Sequence, residues 1–284
     1  MDWQIAGHRN QIKLLKKAFE AGKLAHAYVF AGPEAVGKRT VAKRLAQEML
    51  GSGTGEEYFH PDFLEIAGAD GIKIEQIREL TYKLSLKPYQ AKYKVALIDS
   101  ADQMTTEAAN ALLKVLEEPK AHTFMILITS NPNRLPKTVL SRSQKITFGT
   151  VAFSDYENLL PAKLDREKYR VIETLAAGKP GLALKIAANE DYLEEIASSE
   201  QYFEIFMGEK LAERLITAYE IANMETSEIK NLMDNWLLQL QHILHQTATK
   251  QVARKISQLA ISRRFLEQNV NTKLLLTNLM LSTS

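Results

Sequence analysis

The stretch Tyr28-Val-Phe-Ala-Gly-Pro-Glu-Ala-Val-Gly-Lys-Arg-Thr40 constrains the fold of this chain more than any other. It opens with an apolar run, Tyr28 to Ala31, of the kind that forms a buried strand. It closes on a helix-forming run from Lys38 to Leu50, with a Gly/Pro turn between the two. Gly32, Gly37 and Lys38 fill the first seven positions of the phosphate-loop pattern G-x-x-x-x-G-K-[ST]. The chemistry behind that spacing is specific. Glycines let backbone N–H groups turn inward around a phosphate, the next helix presents its positive end, and the lysine reaches the outer phosphates. The eighth position departs from the pattern. A Ser or Thr hydroxyl there ligates Mg²⁺; this chain has Arg39, with Thr40 one residue late. One residue is a rotation of about 100° on a helix, so Thr40 is not a simple replacement.

The rest of the first half reads as strands alternating with helices. Further buried strands are expected at 63–66, 94–99, 123–129 and 145–148, and helices at 9–22, 73–84 and 105–118. The helix stripes are Ile12, Leu14, Leu15, Ala18 and Phe19, then Ile74, Ile77, Leu80, Tyr82 and Leu84, then Ala108, Leu112, Val115 and Leu116. Strands apolar on both faces argue a parallel sheet covered on both sides, an α/β fold. Ligands bind such sheets at the carboxyl ends of the strands, where the phosphate loop, Asp99 and Ser130 all fall. Gly51-Ser-Gly-Thr-Gly55 is expected to be a flexible loop. Beyond 150 no strand-like run recurs. Short helices are expected to about 190, then longer amphipathic ones, with Leu232, Trp236, Leu240, Ile243, Leu244, Ile256, Leu259, Ala260, Leu274, Leu275 and Met280 as core. Breaks near 150 and 197 divide the chain into 1–150, a small helical part 151–197 and an all-helical end 198–284.

Bulk properties narrow the function classes. The net charge is +2, so no overall basic field marks a protein that binds nucleic acid alone, although a local basic patch is compatible with it. There is no cysteine, which removes disulfides, cysteine zinc sites and thiol catalysis. No apolar run approaches 18 residues, and the start Met1-Asp-Trp-Gln-Ile lacks the features of a signal peptide, so a cytoplasmic protein is expected.

Asp99 ends an apolar strand about 60 residues after the loop, the place where an acid helps hold Mg²⁺ in a phosphate-loop protein. The bland alternative is a residue that only ends a strand. A water-activating glutamate is missing next to it, where Ser100 and Ala101 stand, and Asp102 lies in the following turn. Ser130 ends the next strand, either as a γ-phosphate sensor or as an ordinary turn residue. Arg142, in Leu140-Ser-Arg-Ser143, reads in isolation as a surface charge. His26, His60 and His122 have no metal-ligand spacing.

Five segments together resemble a known family. Gly7-His-Arg-Asn10, Leu24-Ala-His-Ala-Tyr-Val-Phe-Ala-Gly-Pro33, Ile98-Asp-Ser-Ala-Asp102, Asn110-Ala-Leu-Leu-Lys-Val-Leu-Glu-Glu-Pro119 and Leu135-Pro-Lys-Thr-Val-Leu-Ser-Arg142 match the bacterial clamp-loader family of AAA+ proteins in order and spacing. The resemblance covers 1–150 by motif, and beyond that it is architectural: a helical lid at 151–197 and a helical collar at 198–284. It implies a P-loop AAA+ domain, a nucleotide pocket for ATP and Mg²⁺, and a place in the DNA polymerase III clamp loader.

The departures resemble those of the family's delta-prime members. The ATP-hydrolysing gamma/tau members carry Gly-Lys-Thr/Ser, an Asp-Glu pair and four zinc-binding cysteines; this chain has Gly-Lys-Arg, Asp-Ser and none, so no zinc is expected. No arginine stands near Gly178-Lys-Pro-Gly-Leu-Ala-Leu184, where active members have one for the γ-phosphate. The family's Ser-Arg-Cys survives as Ser141-Arg142-Ser143. The resemblance therefore implies that Arg142 serves a neighbour's ATP site in trans, while Gly32, Gly37, Lys38, Arg39, Thr40, Asp99 and Ser130 form an inherited pocket. The implied partners are gamma/tau and delta subunits through the collar, and a sliding clamp and primed DNA through the complex. An ATP-hydrolysing, gamma/tau-like subunit remains the alternative.

Overall fold

The computed structural model describes residues 3, 5–51, 59–68, 71–162, 164–266 and 270–282. The loop expected at 51–55 lies outside them apart from Gly51. Two compact units divide the chain, 1–156 with 179–181, and 157–178 with 182–284.

The first unit runs α1 (Arg9–Glu20), β1 (Ala27–Ala31), α2 (Lys38–Leu50), β2 (Phe63–Ala67), α3 (Ile74–Ser85), β3 (Lys94–Asp99), α4 (Thr106–Glu117), β4 (Thr123–Thr129), α5 (Lys137–Ser141), β5 (Gln144–Thr147) and the short α6 (Phe153–Tyr156). The strands form one parallel sheet in the order β2-β3-β4-β1-β5. Every residue of β1 and β4 is buried, as sheet cover on both faces requires. The alternation of a strand sorts these residues into two cores. Tyr28 and Phe30 meet Leu45 of α2 on one face; Val29 and Leu127 meet Leu112 of α4 on the other. Thr105 caps α4, its hydroxyl accepting from the Ala108 N–H at 3.2 Å, and Pro119 follows the helix. The register aligns Ala31 with Thr129 and with Thr147, so the carboxyl ends of β4, β1 and β5 share one edge.

Several stripe residues are not core. Leu14 and Tyr82 are exposed, because each lies on the flank of its helix, beyond the arc that meets the sheet. Sequence spacing marks an apolar residue near the stripe but not the width of the face that is covered.

Asp62 pins the segment before β3. Its buried carboxylate accepts from the N–H groups of Tyr89 at 2.6 Å, Gln90 at 2.8 Å and Ala91 at 2.9 Å. Burial pushes its pKa up. The three N–H donors, with His60 nearby, outweigh that and leave it below the usual carboxylate value. A depressed folded pKa contributes stability that is present above the unfolded pKa of about 3.9 and is lost as pH falls through the folded value. Asp62→Asn is therefore expected to lower stability by about 2 kcal/mol at neutral pH. In urea titrations followed by circular dichroism, the gap to wild type should narrow as pH drops below about 4.

The second unit contains α7 (Arg166–Ala176), most of α8 (Pro180–Ala188), α9 (Glu190–Met207), α10 (Leu211–Ile221), α11 (Thr226–Thr247), α12 (Lys250–Phe265) and α13 (Thr272–Ser282). Asp165 caps α7 by accepting from the Lys168 N–H. α9 passes uninterrupted through 197. Trp236 on α11 centres this unit. It is fully buried, stacked on Phe206 at 4.8 Å and 18°, and its indole N–H donates to the Ser199 carbonyl at 3.2 Å. Leu232, Leu240, Leu259 and Met280 join it in the core, whereas Leu274 and Ala260 are exposed. Among the described residues no helix is long and apolar enough to cross a membrane.

Candidate functional site

The loop between β1 and α2 has the curled backbone that the glycine spacing implies. Gly37 is the N-cap of α2 at φ 104°, and Ala35 is left-handed at φ 58°. Gly32 is required by space: a Cβ there would collide with the Phe148 carbonyl oxygen. The Gly32 N–H donates to the Thr129 carbonyl at 3.2 Å, which ties the loop to the end of β4. His8, itself left-handed at φ 52°, holds the loop from outside. Its Nε2 is 2.7 Å from the Val36 carbonyl, so that nitrogen carries the proton. Gly181 donates its N–H to the Ala35 carbonyl at 2.8 Å. The turn expected near Gly178–Gly181 thus meets the loop through the Gly181 backbone.

Lys38 is buried, and its ammonium donates to the loop's own carbonyls, Gly32 at 2.6 Å and Pro33 at 2.5 Å. Burial lowers its pKa, against the opposing pull of Glu34, Asp99 and Asp102. Arg39 turns to the middle of β2 and the end of β3. Its Nε donates to Glu65 at 2.9 Å, its Nη2 pairs with the same oxygen at 2.6 Å, and Asp99 Oδ2 lies 3.6 Å from Nε. Lys43, one turn further along α2, pairs with the other Glu65 oxygen at 3.1 Å. The remaining Asp99 oxygen accepts from the Ser100 N–H at 2.9 Å, with Ser100 left-handed at φ 56°. Thr40 is exposed on α2.

Ser130 belongs to a second small network. Asp102 accepts from the Thr129 hydroxyl at 2.6 Å, from the Ser130 N–H at 3.2 Å and from the Ser130 hydroxyl at 3.4 Å. Asp102 is thereby a brace between the ends of β3 and β4. Its lone pairs are engaged, which is not the arrangement of a general base waiting for water.

Gly32, Gly37, Lys38, Arg39, Asp99 and Ser130 therefore share the carboxyl edge of the sheet. Arg142 does not. It caps α5 two residues before β5 begins, and the start of β5 is level with the start of β1. Arg142 thus lies at the amino edge, separated from the loop by the length of β1, roughly 10 Å or more. One of its guanidinium nitrogens donates to the Thr138 carbonyl at 3.1 Å and lies 3.4 Å from the Ser141 hydroxyl; the other pairs with Glu117 at 2.9 Å. About a third of the side chain is exposed.

Sequence reasoning missed three participants. Glu65 reads in sequence only as part of a strand, although a lone acid in an otherwise apolar edge strand is a signal. Glu117 stands within the Leu-Glu-Glu-Pro run, where nothing local marks a partner. Asp102 reads in sequence as a turn residue, and nothing local marks its link to Thr129.

Comparison with known proteins now adds to the geometry. Residues 7–152, just over half of the chain, match the family described as "DNA polymerase III, delta subunit". The chain is 31% identical over 210 residues to the DNA polymerase III subunit delta′ of Bacillus subtilis, covering 68% of this chain and 63% of that protein. It is 30% identical over 214 residues to the DNA polymerase III subunit gamma of Buchnera aphidicola from Schizaphis graminum, covering 68% and 59%. The chain thus spans less than two thirds of either relative. The two similarities are equal in extent, so they do not separate the two kinds of subunit. A gamma subunit-related protein from Thermotoga maritima superposes with a TM-score of 0.56 at 22% identity, over 96% of this chain and 98% of that one, a likeness in fold. A family match that takes in more than half of the sequence, laid over a parallel sheet of this order, places the protein: the chain belongs to the DNA polymerase III delta-subunit family, within the bacterial clamp-loader group of AAA+ proteins.

Proposed function

We propose that the chain is a delta-prime-type subunit of a clamp loader, which does not itself hydrolyse ATP and which serves a neighbour's ATP site through Arg142. The observation that carries this reading is the placement of Arg142. It stands at the edge of the sheet opposite the chain's own phosphate loop, where it cannot reach a phosphate bound there. A cation so placed acts on a phosphate that another subunit brings. Once there, its planar fork neutralises charge on the transferring phosphoryl group.

The chain's own pocket supports the same reading from the other side. The hydroxyl position is Arg39, the residue after Asp99 is Ser100, and Asp102 is engaged with Thr129 and Ser130. In this account the 151–197 segment is a lid, and the helices of 198–284 form a collar that joins gamma/tau and delta subunits. The assembled complex, in the cytoplasm, opens a sliding clamp and closes it on primed DNA. DNA contact by such an assembly is largely to phosphates.

A gamma/tau-like ATPase is the second reading, favoured by the retention of Lys38 and Asp99. Steady-state hydrolysis of Mg·ATP by the purified full chain separates the two. The expected result is no turnover above the background of Lys38→Ala. Turnover that Lys38→Ala abolishes decides for the ATPase.

A further inference from the structure

Two carboxylates, Glu65 in the middle of β2 and Asp99 at the carboxyl end of β3, are held by one arginine. Glu65 and Asp99 face the guanidinium of Arg39, at 2.6 to 2.9 Å and 3.6 Å. Arg39 occupies the sequence position where a phosphate loop carries the hydroxyl that ligates Mg²⁺.

The residues present do not fit that metal. Mg²⁺ demands six oxygens in near-octahedral array at about 2.0 to 2.1 Å. The loop's hydroxyl is replaced by a group with donors only. Asp99 has both oxygens engaged, one with the Ser100 N–H and one with Arg39. A dication brought to Asp99 would stand beside the Arg39 guanidinium. Arg39 is not free to leave without cost, because Glu65 anchors it and Lys43 in turn anchors Glu65 at 3.1 Å. The four members, Arg39, Lys43, Glu65 and Asp99, come from three elements separated in sequence, so the arrangement is built by the fold and not by a local turn.

The phosphate-cradling parts remain. Gly37 and Ala35 keep the left-handed backbone, and Lys38 stands buried at the head of α2. A guanidinium suits a phosphate as well as it suits a carboxylate, by the same fork of N–H donors.

We propose that Arg39 supplies from within the protein the positive charge that a divalent cation brings to other phosphate loops. The Gly32–Lys38 cradle then takes the phosphate chain of a nucleotide without metal. Glu65 is the residue that makes this stable, since it holds the arginine at the strand edge. The inference rests on the inherited-pocket part of the reading above and is independent of Arg142. It also explains on chemical grounds how a pocket can keep a nucleotide without consuming it.

The experiment is titration calorimetry of the full chain with ATP and with ADP, each in excess MgCl₂ and in excess EDTA. The expected dissociation constants agree within about twofold between the two conditions. Arg39→Thr, which restores the hydroxyl and frees Asp99, is expected to bind at least about tenfold more tightly with Mg²⁺ than with EDTA. Wild-type binding that requires Mg²⁺ overturns the proposal, and so does absence of binding in both conditions. A folded Arg39→Thr protein that is indifferent to Mg²⁺ overturns the role given to Arg39. If that variant does not fold, the wild-type comparison still decides. None of these results touches the Arg142 reading, whose readout is hydrolysis at a neighbouring subunit.

Discussion

In a loader reconstituted from its subunits, Arg142→Ala lowers the rate of ATP hydrolysis at the adjoining site by roughly 10³-fold or more, as loss of an arginine finger does elsewhere. The expectation follows from charge and place. Phosphoryl transfer gathers negative charge on the transferring group, and a guanidinium at hydrogen-bond distance stabilises it most where water is excluded. In the isolated chain Arg142 rests on Glu117 and the Thr138 carbonyl, half-exposed pairings of modest strength that a phosphate can replace. Two companion variants sharpen the result. Arg142→Lys should recover little, because an ammonium lacks the planar fork. Glu117→Gln should change the rate by no more than about fivefold, since exposed ion pairs contribute about 1 kcal/mol or less. The measurement is single-turnover hydrolysis with primed DNA present, on complexes whose subunit composition has been checked by size. A rate unaffected by Arg142→Ala in an intact complex would remove the trans role.

Trp236→Ala is expected to destabilise the helical unit by about 3–5 kcal/mol, the usual cost of emptying a buried aromatic site. Trp236 has no exposed surface, its ring lies against Phe206 at 4.8 Å, and its N–H satisfies the Ser199 carbonyl. Truncation leaves a cavity among α9, α11 and α12 and strips that carbonyl of its partner. The chain contains two tryptophans, and the other, Trp3, belongs to the first unit with its indole N–H on Glu48. In the variant, Trp3 fluorescence reports the first unit alone while circular dichroism at 222 nm, dominated by helix, reports both. A helical transition that shifts to lower urea while the Trp3 transition stays in place is the expected outcome. If 198–284 is the collar, the same variant fails to enter the complex. Normal assembly by a protein whose helical unit has melted would contradict the collar assignment.

The central strands β1, β3 and β4 were legible because each is a short run buried on both faces, and such runs leave a plain mark in sequence. The boundaries of all five strands fall within a residue or two of those expected from Tyr28–Ala31, 63–66, 94–99, 123–129 and 145–148. Strand order was not legible, since nothing local tells β1 that it lies between β4 and β5. The glycine positions of the phosphate loop were also readable, and Gly32 has a steric reason in the Phe148 carbonyl. What sequence could not give were the pairings. Arg39 and Glu65 are 26 residues apart, Asp102 and Thr129 are 27 apart, and Arg142 meets Glu117 across a helix and a strand. These contacts decide whether Asp99 can take a metal and whether Asp102 can act as a base. The helical half shows the opposite error. Leu274 and Ala260 fit an apolar stripe yet face outward, because amphipathic spacing does not say how wide a helix face is covered.

The central claim is that Arg142 leaves its resting partners for a phosphate on another subunit. Electron cryomicroscopy of the assembled loader with a γ-phosphate analogue in the neighbouring site tests it most directly. The account predicts an Arg142 guanidinium nitrogen about 3 Å from a terminal phosphate oxygen of that neighbour. Arg142 still paired with Glu117, with the neighbour's phosphate met by some other cation or by none, would contradict it.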